Sequence, residues 1–152
     1  MKTMHLFVMP GIICLLPFHV SDAVADEPST GYTFGVPDGF EVQQVAGPPL
    51  VKYPMLGTFD DVGRLFVCAS AGLNLDDKEL LKQVPNFIRV LEDTNGDGQF
   101  DKSTVFADKL TLPSGALWHD GALYVTSPPS LWRLEDTDGD GIADRRDELI
   151  TG

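Results

Sequence analysis

Two stretches of the chain place apolar runs on either side of a short polar break, and both read as β-hairpins. In MLGTFDDVGRLFVCAS (55–70) the runs flank Asp61-Val62-Gly63, and in GALWHDGALYVTSP (115–128) they flank Asp120-Gly121. Asp-Gly suits such a turn because the tight type I′ form needs positive φ at both central residues. FEVQQVAG (40–47), NFIRVLED (86–93), STVFADKL (103–110), SLWRLED (130–136) and DELI (147–150) have the length and apolar content of further strands. GPPLVKYP breaks the first of these. One helix is predicted, in NLDDKELLKQVP (74–85), where an Asp-rich start precedes Leu80 and Leu81; it reads as a short insertion rather than a layer.

The strands at 86–93 and 130–136 run directly into acidic loops that repeat. LEDTNGDGQFDK (91–102) and LEDTDGDGIADR (134–145) agree at eight of twelve positions and lie 43 residues apart. The likeness extends outward: Pro85 aligns with Pro128, Ile88 with Leu131, Val90 with Arg133 and Phe106 with Leu149. Gly63-Arg64-Leu65-Phe66-Val67 matches Gly121-Ala122-Leu123-Tyr124-Val125 at a spacing of 58, the excess falling in the insertion at 71–85. Four short antiparallel strands every ~40–45 residues is the period of a β-propeller blade, whereas a β-sandwich would not repeat its loops. The expected fold is all-β, an incomplete β-propeller of two to three four-stranded blades with acidic loops in the hairpins. Because a ring closes with roughly four to eight blades, the expected layout is a leader at 1–25, a linker at 26–38 and the N-terminal blades of a truncated propeller at 39–152.

Counted from Asp93, positions 1, 3, 5 and 9 of the first loop are Asp93, Asn95, Asp97 and Asp101, with Gly98 at 6. In the second they are Asp136, Asp138, Asp140 and Asp144, with Gly141. Calcium takes six to eight oxygens, and alternating acidic positions with a glycine at 6 let a tight loop turn them inward with one backbone carbonyl from position 7. Gln99 and Ile142 would supply that carbonyl. Asp, Asn and Gly are also good turn formers, but a turn alone does not ask for Asp at 1, 5 and 9 in both copies. The loops depart from an EF-hand, which closes on a bidentate Glu at position 12 between helices; position 12 here is Thr104 or Asp147, between strands. Closing with Asp at position 9 inside a β-hairpin, they resemble the calcium loops of integrin-type propeller blades. Magnesium, which demands a rigid octahedron and keeps its waters, fits less well. The second loop carries one more carboxylate and is expected to bind more tightly.

Charge agrees with a cation as partner. The formal net charge is −12, which argues against nucleic acid. Lys2, the apolar run Leu6–Leu16 and Ala23-Val24-Ala25 before Asp26 form a secretory signal, with cleavage expected after Ala25 and a secreted or periplasmic product. The apolar run, broken by Pro10, Pro17 and His19, falls short of the ~20 residues that span a bilayer, so no transmembrane segment is expected after cleavage. Cleavage removes Cys14 and leaves Cys68, in the apolar run RLFVCAS, as an inert buried thiol with no internal partner. His119 reads as an exposed turn residue, and Trp118 and Trp132 as packing aromatics. No Ser/His/Asp, CxxC, CxxCH or phosphate-loop pattern is present.

The stretches EDTNGDGQFDKSTVFADKL and LYVTSPPSLWRLEDTDGDGIADRR, with the closing LITG, resemble the N-terminal part of the large secreted membrane-bound-dehydrogenase proteins of planctomycetes and verrucomicrobia. Their propeller is similar to soluble quinoprotein (PQQ) glucose dehydrogenase. The resemblance covers roughly residues 38–152. It implies oxidation of a sugar or other alcohol at a quinone cofactor, with electrons passed to haem and cytochrome c as acceptor. It places no catalytic or PQQ-binding residue on this chain, whose share of the family pattern is the pair of acidic loops.

Overall fold

The computed structural model describes residues 4–9, 12–17 and 34–152. The expected cleavage segment around Ala23–Ala25 lies outside them, as does most of the linker. Strands β1 (Met4–Met9) and β2 (Ile12–Pro17) pair antiparallel, and β1 runs parallel to β3 (Phe40–Gln43). β3 stops short of the expected 40–47, because Val45 and Ala46 leave it to pack as buried residues against the next sheet.

The remaining strands form two antiparallel sheets of four. The first runs in chain order through β4 (Pro54–Phe59), β5 (Leu65–Ala69), β6 (Asn86–Glu92) and β7 (Lys102–Leu110). The second follows the same plan with β8 (Gly115–His119), β9 (Ala122–Ser127), β10 (Ser130–Glu135) and β11 (Arg145–Thr151). Both hairpins therefore stand where the apolar runs put them. Asp120 and Gly121 turn with φ of 48° and 74°, the two positive values that a type I′ turn requires. Helix α1 (Asp77–Gln83) leaves between β5 and β6, capped by the Asp76 carboxylate, which accepts from the Glu79 N–H at 2.9 Å. It buries no residue, as an insertion outside the layers would.

The repeat is visible in the pairing itself. Ile88 pairs with Ala107 and Arg89 with Val105, which leaves Phe106 as a bulge; 43 residues on, Leu131 pairs with Ile150 and Trp132 with Glu148, which leaves Leu149. A bulge twists the strand locally and re-aims its side chains, and here it recurs at the same place in each sheet.

Two cores lie on the two faces of the first sheet. On one face Phe66, Cys68, Ile88, Val90 and Phe106 meet Leu123, Val125 and Leu134 of the second sheet. Trp118 stacks on Phe66 at 5.1 Å, and Phe106 meets Phe66 edge-on at 4.8 Å. On the other face Leu65, Val67 and Leu91 meet Val45, Ala46 and Val51. This is why all five residues of β5 are buried and why its sequence does not alternate. The second sheet differs on its far side, where Leu149 is 47% exposed while its counterpart Phe106 is 2% exposed. Arg133, the counterpart of buried Val90, lies there in a polar network. It contacts Glu135 at 2.6 Å and Asp147 at 3.6 Å, while Arg145 reaches Asp147 at 3.0 Å. The Glu135 hydrogen bond, joined by one to Tyr124, raises the Arg133 pKa, and the same bond to Arg133 lowers that of Glu135. Among the described residues no helix is long and apolar enough to cross a membrane.

Candidate metal centre

Each acidic loop joins the last two strands of its sheet, β6 to β7 and β10 to β11. The strands hold the loop's two ends at hydrogen-bonding distance, and its nine residues must then reverse direction in a small volume. Glycine at positions 4 and 6 makes this possible: Gly96 and Gly98 have φ of 79° and 88°, and Gly139 and Gly141 have 82° and 87°.

The carboxylates then organise the turn from inside, in the same way in both copies. At position 1, Asp93 accepts from the N–H of Gly96 at 2.7 Å and of Gly98 at 2.9 Å. Asp136 accepts from Gly139 and Gly141 at the same two distances. At position 3, Asn95 and Asp138 accept from the N–H of Asp97 and Asp140, at 2.9 and 3.3 Å. At position 5, Asp97 and Asp140 each accept at 2.8 Å from the N–H of position 7, Gln99 and Ile142. Asp101 and Asp144 at position 9 reach back to position 2: Thr94 donates its N–H at 3.2 Å and its hydroxyl at 2.8 Å, and Thr137 its N–H at 2.8 Å and its hydroxyl at 2.5 Å. The Thr137 hydroxyl, followed by its backbone N–H, lowers the pKa of Asp144, so this carboxylate stays ionised into acid.

The ligand atoms of Asp136, Asp138 and Asp140 all lie within 4.8 Å of one another. Two oxygens on one calcium, each at ~2.3–2.6 Å, are at most about 5 Å apart. The chemistry of the donor set fits as well, since it is all oxygen and carries three charges. Asp144 stands apart from this triad, across the loop on Thr137. In the first loop positions 3 and 5 are in contact, Asn95 donating to Asp97 at 3.1 Å. Each carboxylate oxygen that accepts one N–H retains a lone pair for an ion.

Sequence reading missed the threonine at position 2. Its presence in both copies is the one signal, since threonine at position 2 is not a metal ligand. His119 sits as expected: it is exposed, and its ring lies 6.3 Å from that of Tyr124. Cys68 is buried, and burial pushes its thiol up to about 12, so it is no nucleophile.

Residues 28–152 match a family model described as a domain of unknown function, DUF7133. No curated protein and no solved structure matches the chain.

Proposed function

The chain belongs to the DUF7133 family, and we propose that it is a calcium-braced scaffold, part of a secreted, dehydrogenase-like β-propeller protein. The observation that carries the calcium reading is the gathering of the Asp136, Asp138 and Asp140 oxygens within 4.8 Å, in a loop whose hydrogen bonding is repeated 43 residues earlier. Asp93, Asn95, Asp97 and Asp101, with the Gln99 carbonyl, would hold one ion, and Asp136, Asp138 and Asp140, with the Ile142 carbonyl, a second, which Asp144 would join by turning from Thr137. Bound calcium would neutralise clustered charge and tie the last two strands of each sheet together.

The propeller reading is supported by two four-stranded meanders packed face to face with the same bulge and the same loop. The dehydrogenase reading rests on resemblance: a sugar or other alcohol as substrate, PQQ as cofactor and a cytochrome c as acceptor belong to the whole protein. Among the described residues no catalytic constellation accompanies exposed His119. The competing reading is a non-catalytic propeller for adhesion or carbohydrate binding, which the same repeated acidic loops would brace.

Calorimetry on the secreted protein tests the calcium reading. Two sites are expected, the second loop the tighter, with a rise in melting temperature; absence of both heat and shift overturns it. Dye-linked turnover with PQQ and calcium separates the other two readings. The chain by itself is expected to show none, and measurable turnover would place the chemistry on these residues.

A further inference from the structure

The acidic loops do more than close their own hairpins. Position 8 of the first loop, Phe100, donates its backbone N–H to the Val45 carbonyl at 3.0 Å and packs its ring against the core of Val45, Ala46 and Val51. Position 8 of the second, Ala143, donates its N–H to the Phe106 carbonyl at 2.7 Å and is buried in the core between the two sheets. Position 11 repeats the habit with a side chain. Ser103 donates its hydroxyl to the Leu50 carbonyl at 2.7 Å, and Arg146 donates to the Asp108 carbonyl at 2.8 Å while pairing with its carboxylate at 3.0 Å. Gly141 at position 6 also lies against β7, where an added Cβ would sit 3.7 Å from Thr104. In both copies, then, positions 8 and 11 grip the structural unit that comes before the loop in the chain.

We infer that each acidic loop is a clasp between its own strand pair and the preceding unit. Resting on the calcium reading above, we infer further that an ion in the loop tightens that clasp. The link is steric. Position 8 is bracketed by the ligand positions 7 and 9, so a loop drawn around one ion fixes the direction of the single N–H between them. A loop that frays presents that N–H over a range of directions, and an N–H···O bond weakens steeply as it bends. Ion binding within a hairpin is thereby converted into rigidity between successive units, with the bulge carbonyl of Phe106 as the acceptor in one case and the strand exit at Val45 in the other. Two acceptors of different local structure, the Val45 and Phe106 carbonyls, are met by the same loop position, with a second contact from position 11 on the strand that follows, so the clasp is a property of the repeat rather than of its surroundings.

Hydrogen exchange read by mass spectrometry on the whole chain, with calcium binding measured separately by calorimetry, tests both parts. Saturating calcium is expected to slow exchange of the Phe100 and Ala143 amides at least tenfold. It is also expected to slow the Leu50 and Val51 amides, which are held by the Gly47 carbonyl beneath the first clasp. If calcium binds and protects 93–99 and 136–142 while Phe100, Ala143 and 47–51 are unchanged, ion coupling is wrong. If no calcium binds, the calcium reading itself fails, and the clasp is then judged on variants in metal-free protein. Ser103→Ala is expected to speed exchange at 47–51 severalfold without affecting the second loop, and Arg146→Ala to speed exchange at Ala143 without affecting the first. Unchanged exchange in both variants overturns the clasp.

Discussion

The indole N–H of Trp118, on the first strand of the second sheet, donates to the Asp61 carboxylate in the first hairpin turn of the first sheet, at 3.1 Å across 57 residues of sequence. The same indole stacks on Phe66 at 5.1 Å. One side chain therefore joins the sheets by a polar contact at the rim and an apolar one at the core. Asp61→Ala should cost about 0.5–1 kcal/mol, the net value of one partly exposed hydrogen bond. Trp118→Ala, which also empties part of the core, should cost about 3 kcal/mol. Urea unfolding followed by circular dichroism would separate the two, and equal losses would mean that the stacking contributes nothing.

Asp60 organises that same turn. Its side chain is 1% exposed and accepts from the Val62 N–H at 3.0 Å, the Arg64 N–H at 2.8 Å and the Arg64 guanidinium at 2.6 Å. Asp60→Ala leaves the Val62 and Arg64 donors without their acceptor and should cost about 2 kcal/mol, whereas Asp60→Asn, which keeps an oxygen there, should cost about 1 kcal/mol. Melting temperatures of the two variants would rank them.

Cys68 makes stability depend on pH at the alkaline end. Burial raises its thiol from the ordinary 9.0 to about 12, so the folded chain keeps the proton that the unfolded chain loses. The sign follows: this contribution is complete below pH 9.0 and falls away as pH rises from there toward 12, by up to about 1.4 kcal/mol per pH unit. Cys68→Ala should flatten that part of the profile, whatever it costs at neutral pH. In the native protein the thiol should resist iodoacetamide until denaturant is added.

Chelation should lower the melting temperature. With Kd of ~10⁻⁴ to 10⁻³ M, common for extracellular calcium modules, 10 mM calcium (about 10 to 100 times Kd) stabilises by about 1.4 to 2.7 kcal/mol per site. Asp138→Ala should abolish the second loop's share and leave that of the first. A melting temperature indifferent to calcium in the wild-type chain would contradict the prediction.

Strand positions and the repeated loop were legible in the sequence because each depends on local pattern: alternation around Asp120-Gly121, or Asp at positions 1, 5 and 9. What joins the sheets was not. Nothing local marks Asn86, yet it is buried and accepts from the Ala71 N–H at 2.9 Å while donating to the Thr111 carbonyl. Nor does anything local mark Asp60, next to the Asp61-Val62-Gly63 break, as a buried carboxylate held by the Arg64 guanidinium at 2.6 Å. Equating Val90 with Arg133 was correct as alignment, but their opposite environments reflect which face is covered, and that is a fact of packing.

Strand β5 supplies alternate residues to two separate cores, Phe66 and Cys68 to one and Leu65 and Val67 to the other. A slip of one residue would exchange the two sets yet leave both faces apolar, so hydrophobicity alone barely distinguishes the correct alignment of this strand from the wrong one. Its alignment must be dictated from the ends and edges: by Asp60 gripping the turn before it, and by the register shift between Pro54 and Leu56 where β4 pairs with it.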